Sequence, residues 1–296
     1  LISFYETSIH YSLDRNRIAI GFARLEALEN ALASFEPVTA VLRAFDVLLT
    51  VNRLKEASVG DICREIGLNR PTIVRMLETL MYAGFVSRHP TQAVYLPTGR
   101  TLDLSCGYQK HEEMATVAGP VLFRLHKELQ WPSDVAVFDR DAMVVARTSR
   151  GEGFLHFNRR PGYRAPLLGT SIGMAFLAFC AEETRQSALA ALSSSTDPWN
   201  AIIKQPEKLK RLLATVRRNG YATMNTAYSD VSYNGAASAV GLPILVNGVA
   251  VGSLNLMFLR SSIDEAGAIA GFLKPLQRGA AAIAQALAAV RAGGEV

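Results

Sequence analysis

The sequence predicts an α+β protein in two parts. From Val38 the chain reads helix, short helix, tight turn, helix, hairpin. Beyond that, short apolar strands and amphipathic helices alternate without a βαβ rhythm, which argues for a mostly antiparallel sheet with flanking helices. The 296 residues, 49% hydrophobic and 19% charged, suffice for two buried cores.

Residues 1–37 read as an N-terminal arm, with helical spacing in "FARLEALENALASF". In "VTAVLRAFDVLLTVNR", Val41, Leu42, Phe45, Leu48 and Leu49 recur at i, i+3/i+4 and predict an amphipathic helix. Ser58 is placed to cap a short helix over Val59–Ile66, with Asp61 completing a box-like start, and Gly67 ends it. A second helix starts near Arg70–Pro71, where a proline costs no helical hydrogen bond, and Gly84 stops it. "FVSRHPTQAVYLP" predicts two short strands around a polar turn.

The stretch from Thr98 to Gln130 predicts helix, broken near Gly107 and before Pro120. "DVAVFDRDAMVVARTSR" predicts a strand pair, and "GFLHFNRR" a third strand. "GTSIGMAFLAFC", "EETRQSALAAL" and "PEKLKRLLATVRRNG" predict helices, the last stopped by Gly220. Two apolar runs joined by Asn247–Gly248 form the strongest hairpin signal in the chain. A final helix begins near Glu265.

The composition excludes several classes. Cys63, Cys106 and Cys180 are odd in number and far apart, and the five histidines are scattered. Neither a disulfide framework nor a metal site is indicated. No apolar run is long enough to cross a membrane, and the N-terminus lacks the apolar core of a signal peptide. A soluble, cytoplasmic protein without a cofactor is expected. The net charge of +5, from 31 Lys and Arg against 26 Asp and Glu, permits contact with a polyanion without demanding it.

"VGDICREIGLNRPTIVRMLETL" supplies what a helix–turn–helix needs: a short bracing helix, a tight turn, and a second helix that is polar on its outer face near its start. Val59, Ile62, Ile66, Leu68, Ile73 and Leu77 are expected to form the shared core. Asn69, Arg70, Thr72 and Arg75 are left facing outward to reach base edges and phosphates. Ser58 and Arg88 are further candidates for contacting DNA, with His89 and Gln92 in the wing-like hairpin.

With these residues, and with "YLPTGRTLDL", "PLLGTSIGMAFLAF" and "GYATMN...GAASAVGLPILVNGVAVGSLNL", the chain from Val38 onward resembles the IclR family of bacterial transcriptional regulators. Within that family, "WPSDVAVFDRDAMVVARTSR" and "FLHFNRRPGYRAPLL" are similar to regulators of 3-(3-hydroxyphenyl)propionate and related aromatic-acid catabolism. The resemblance implies a winged helix–turn–helix over 38–97, a linker helix over 98–112, and an effector-binding domain with a curved antiparallel sheet over 113–296. It implies a homodimer or homotetramer, with double-stranded operator DNA and a small aromatic carboxylic acid as partners. RNA polymerase is a further candidate partner, and a membrane is not.

"GTSIG", residues 169–173, also fits G-x-S-x-G, the nucleophile elbow of serine hydrolases. A hydrolase reading needs a histidine base after Ser171, and the last histidine, His156, lies upstream. The competing reading is a glycine-flanked helix start, whose first N–H groups lack helical partners and suit an anion. The family resemblance points the same way: Gly169, Thr170, Ser171 and Ile172 would border the effector, largely through backbone. Asn255 is a polar residue in an apolar strand, and Met257 shares its face. Tyr228 and Asp230 join the candidates through the resemblance. Phe154, Phe157 and Arg159 are expected to offer an aromatic wall and a counter-charge. A small-molecule sensor that does not bind DNA is the remaining alternative.

Overall fold

The computed structural model describes residues 36–108, 110–149 and 159–293, and the chain divides into two units at Tyr108–Gln109. The proposed arm up to residue 35, and the strand expected around Phe154 and Phe157, lie outside the described residues.

The first unit opens with α1 (Thr39–Leu54), α2 (Val59–Ile66) and α3 (Arg70–Tyr82). Its hairpin follows as β1 (Val86–Arg88) and β2 (Tyr95–Pro97). The Ser58 hydroxyl accepts from the Asp61 amide at 3.1 Å, while the Asp61 carboxylate accepts from the Ser58 amide at 3.0 Å. This reciprocal box fixes where α2 begins. Gly67 ends α2 at φ 75°, a conformation that favours glycine. Asn69 caps α3 by accepting from the Thr72 amide. Val59, Ile62, Ile73 and Leu77 are buried between the helices, with Ile66 and Leu68 packed at the margin. Ala57 bridges to Tyr95, tying the entry to α2 onto the hairpin.

α1 differs from the expected stripe. Val47, Leu48 and Val51 are its buried positions, together with Asp46 and Thr50, whereas Val41, Phe45 and Leu49 are half or more exposed. Two apolar stripes share this helix, and only one has a partner among the described residues of the unit.

After β2 a 3₁₀ turn over Gly99–Leu104 replaces the expected linker helix, and the next α-helix, α4 (Lys110–Leu129), starts beyond it. The expected break before Pro120 is absent. A proline there removes one i→i−4 bond, but Met114, Ala118, Val121, Leu122 and Leu125 hold both halves of α4 on the sheet.

The second unit continues with β3 (Ser133–Asp139), β4 (Ala142–Thr148), β5 (Arg164–Pro166), α5 (Ser171–Phe179) and α6 (Glu182–Ala191). A 3₁₀ turn over Pro198–Lys204 leads to α7 (Pro206–Asn219), β6 (Ala222–Thr223) and α8 (Thr226–Tyr233). The unit ends with β7 (Ala237–Val246), β8 (Val249–Leu259) and α9 (Glu265–Gly293). Among the described residues the sheet order is β5-β4-β3-β8-β7-β6, antiparallel throughout. Register shifts at Val135/Ala136 and Ile244/Leu245 bend the strands into the curved sheet. Asn247 and Gly248 both take positive φ, as the tight turn between β7 and β8 requires.

Alternation along the strands gives the sheet two buried faces. Val135, Val137, Val144, Val240, Leu242, Leu254 and Leu256 meet α4 and α9. Ala136, Met143, Val145, Ala239 and Met257 face α5 and the elements around it. The second face carries the buried polar groups described next.

Candidate functional site

α5 enters the core almost entirely apolar, with Ile172, Ala175, Phe176 and Leu177 buried. Its start is packed tightly onto backbone. A Cβ on Gly241 would come within 2.5 Å of the Ser171 carbonyl carbon, and one on Gly173 would overlap the Leu167 backbone. Glycine at 241 lets the helix start lie directly on β7, and glycine at 173 lets it close against the Leu167 backbone.

The Thr170 hydroxyl donates to the Pro166 carbonyl at 2.7 Å and accepts from the Gly173 amide at 3.2 Å. The Thr170 amide is bonded to the Pro166 carbonyl as well. The amides of Ser171 and Ile172 have no acceptor among the described residues. They therefore carry the positive end of the helix into the protein interior. The Ser171 hydroxyl is fully buried and has no hydrogen-bond partner among the described residues.

A continuous circuit of contacts encloses this helix start. Gly241 of β7 pairs with Asn255 of β8, and Asn255 pairs with Asp134 of β3. Directly paired residues share a face, so the side chains of Asn255 and Asp134 rise on the face that α5 covers. The Asn255 carbonyl oxygen accepts from the Asp134 amide at 3.0 Å. That fixes the amide orientation and leaves its Nδ2, fully buried, without an acceptor. Arg159 Nη1 stands 3.8 Å from the Asp134 carboxylate. The same guanidinium donates to the Tyr233 hydroxyl at 3.1 Å and to that of Tyr228 at 3.4 Å. The Tyr163 hydroxyl lies 3.0 Å from that of Tyr228. The Tyr228 ring meets Trp199 edge-on at 5.0 Å, and both rings lie against Gly169, where a Cβ would fall 2.7 Å from Tyr228. Gly169 leads back to Thr170 and Ser171, closing the circuit.

Arg159 is 2% exposed. Burial pulls its pKa down, but the facing tyrosine oxygens and Asp134 outweigh that and hold it above the ordinary arginine value. The guanidinium is therefore charged at every working pH. Leaving a buried donor unpaired costs about 1–3 kcal/mol. The free donors of Asn255, Ser171 and the α5 amides make the site donor-rich, suited to a ligand carrying acceptor oxygens.

Of the residues expected here, Gly169, Ser171, Ile172, Tyr228 and Asn255 come together, and Met257 lies two residues along on the same face as Asn255. Asp230 does not join them. Positions two apart on a helix point in nearly opposite directions, so Tyr228 turns inward and Asp230 lies exposed. Asp134, Tyr233, Tyr163 and Trp199 were missed from the sequence. Asp134 carries the same signal as Asn255, a polar residue entering an apolar strand; the aromatic residues carry no comparable signal.

In the first unit Asn69, Arg70, Arg75 and Arg88 are exposed and Thr72 is half-buried. Arg70, Arg75 and Arg88 make no ion pair among the described residues, whereas Arg53 is held by Glu65 and Arg64 by Asp61. Asn69 and Ser58 spend their side-chain oxygens on capping, and the Ser58 hydroxyl also donates to Asp61 at 2.6 Å. His89 accepts from the Thr91 and Gln92 amides at 3.3 and 3.2 Å and so shapes the tip of the hairpin.

Two family models match the chain. The IclR helix-turn-helix domain covers residues 40–90, and the bacterial transcriptional regulator IclR C-terminal domain covers residues 106–285. The chain belongs to the IclR family. This IclR-type protein is thus a DNA-binding transcriptional regulator with a C-terminal ligand-binding domain.

Among curated relatives, it is 20% identical over 224 residues to the HTH-type transcriptional regulator KdgR of Escherichia coli, covering 75% of this chain and 83% of that protein. It is 24% identical over 252 residues to XynR of the same organism, covering 84% of this chain and 97% of that protein. Among solved structures, a transcriptional regulator from Rhodococcus sp. RHA1 superposes with a TM-score of 0.62 at 22% identity, over 86% of this chain and all of that one. An IclR homolog from Microbacterium hydrocarbonoxydans, complexed with 4-hydroxybenzoate, gives 0.61 at 22% identity, over 84% of this chain and 99% of that one. These likenesses establish the fold.

Proposed function

We propose that this IclR-type regulator controls aromatic-acid catabolic genes, binding operator DNA through residues 38–97 and a small aromatic carboxylic acid through residues 113–296. Residues 98–112 couple the two. The observation that carries the effector reading is the buried start of α5, where the Ser171 and Ile172 amides lack acceptors among the described residues, beside Asn255 Nδ2, which lacks one there too. A carboxylate satisfies the amides, and Gly169, Tyr228 and Met257 supply the surrounding wall. The aromatic ligand bound by the Microbacterium homolog supports trying that class first.

On the DNA side, Arg70, Arg75 and Arg88 are exposed without ion pairs among the described residues, and Thr72 lies in the first turn of α3. Asn69 and Ser58 contribute by fixing the helix starts as much as by contact. Effector binding favours one arrangement of paired DNA-binding modules over another, through its difference in affinity for the two. The protein acts in the cytoplasm as a homodimer or homotetramer, and contact with RNA polymerase accompanies any activating role. Ser171 serves as part of a binding site and not as a nucleophile, since its hydroxyl is buried in the first turn of a helix.

Thermal denaturation against a panel of hydroxylated benzoates and phenylpropionates tests the effector assignment. A ligand present at a hundred times its Kd adds about 2.7 kcal/mol of stability. At least one member is expected to raise the Tm; a panel with no effect overturns the aromatic-acid assignment.

A further inference from the structure

The outer face of α3 carries one acid among its bases. Ile73, Leu77 and Leu80 bury one side of the helix. Arg75 lies two residues from both Ile73 and Leu77 and so points the opposite way. Glu78, the only acid in α3, follows one turn later on the same outward stripe. Tyr82 stands one turn further on, 96% exposed. Arg75 and Glu78 are about 60° apart around the helix and about 4.5 Å apart along it. Both are exposed, and neither has an ion pair among the described residues. The acids of the neighbouring helices are engaged otherwise. Asp61 is held by Ser58 and Arg64, Glu65 by Arg53, and Asp46 is buried.

An unpaired carboxylate on a DNA-facing surface opposes binding, because the phosphates carry the same sign of charge. A hydrogen-bond donor on the DNA offsets that repulsion, and the base edges supply one. In the major groove guanine presents two acceptors, and thymine an acceptor and a methyl group. Adenine presents a donor beside an acceptor, and cytosine a donor alone. An ionised carboxylate only accepts, so cytosine is the base it meets without also facing an acceptor. The fork of Arg75 matches the two acceptors of guanine. The 4.5 Å step along α3 is close to the rise of about 3.4 Å between base pairs. Asn69 is poorly placed to read adenine. Its side-chain oxygen accepts from the Thr72 amide at 3.0 Å, and pairing with adenine N6 and N7 uses both ends of the carboxamide.

We infer that Glu78 is a specificity-determining residue: its carboxylate accepts from cytosine N4 in the base pair next to the guanine that Arg75 holds. The inference rests on α3 being the helix that enters the major groove, and adds the bases it selects. Each half-site then contains two adjacent G·C pairs.

Binding-site selection by the full chain from a pool of randomised DNA duplexes tests this, with fluorescence anisotropy on the selected duplex and its single-pair variants. The unaltered protein is expected to select the two adjacent G·C pairs, and changing the cytosine should weaken binding about five- to tenfold. Glu78→Gln keeps the shape of an exposed side chain and so leaves the fold alone. Glutamine pairs with adenine N6 and N7, so this variant should select A·T in place of one G·C pair and keep the other. Arg75→Ala should lose the preference at the pair that Glu78→Gln keeps. An unchanged motif with Glu78→Gln, beside an altered one with Arg75→Ala, overturns the inference and leaves the α3 reading standing. So does a Glu78→Gln variant that binds every duplex more tightly by the same factor, since its carboxylate then only repels phosphate. Motifs unchanged in both variants overturn the placement of α3 in the groove and the inference together.

Discussion

Single residues set how close the ligand-binding unit's layers come. Gly241 admits the α5 start onto the sheet because a Cβ there would press on the Ser171 carbonyl at 2.5–2.6 Å and on the Ile172 amide at 2.9 Å. Those neighbours are backbone and cannot rotate aside. Gly241→Ala is therefore expected to destabilise the unit by about 1–3 kcal/mol and to weaken effector binding more than an equally destabilising change elsewhere; denaturant titration paired with calorimetry separates the two effects. Asp46 is the corresponding singular residue in the DNA-binding unit. It is 6% exposed among the buried positions of α1, and burial pushes its carboxyl up to about 6 from 3.8. The folded state thus holds a proton that the unfolded state releases, so this contribution is fully present below about pH 4 and is lost as pH rises through 6. The loss amounts to at most about 3 kcal/mol. Asp46→Asn should flatten the fall in stability between pH 5 and 7, read by thermal melts at both values; an unchanged pH dependence would show that the carboxyl is not buried in solution.

At the scale of elements, what the sequence made legible was whatever depends on local chemistry. Ser58, Asp61, Gly67 and Pro71 marked the bounds of α2 and α3 because capping and chain breaking act over three or four residues. Asn247–Gly248 did the same for the β7–β8 hairpin. α1 was misread because both of its faces are apolar, and periodicity cannot say which stripe finds a partner. β5, β6 and α8 were not foreseen: two or three residues make a strand only when a neighbour pairs with them, as Arg164–Pro166 does with β4. The site was legible where a residue was anomalous, as at Asn255. It was illegible where function comes from convergence, as when Arg159 meets three tyrosines from positions 163, 228 and 233. The reading of α3 yields its own prediction. Arg70→Ala with Arg75→Ala should lower operator affinity tenfold or more and reduce the slope of log K against log salt by about 1–2, since each lost phosphate contact removes about 0.9. Ser58→Ala should cost about 1 kcal/mol of stability through the lost cap and leave that slope unchanged. Fluorescence anisotropy across a salt series, with melts on the same samples, distinguishes a contact from a cap.

For the whole molecule, the proposed regulation requires two binding events on one chain to share a single equilibrium. One recognition helix reads only a few base pairs, so an operator bound by paired copies should show two half-sites separated by about 10 base pairs or a multiple of that. Nuclease protection on a bound operator would show that repeat, and a single short footprint would speak against paired modules. The coupling has a stricter signature. If the effector changes operator affinity by some factor, the operator must change effector affinity by the same factor. Couplings of this kind typically span about 5–150-fold. The expected result is therefore a pair of measurements: operator Kd with and without saturating acid, and acid Kd with and without saturating operator, giving equal ratios.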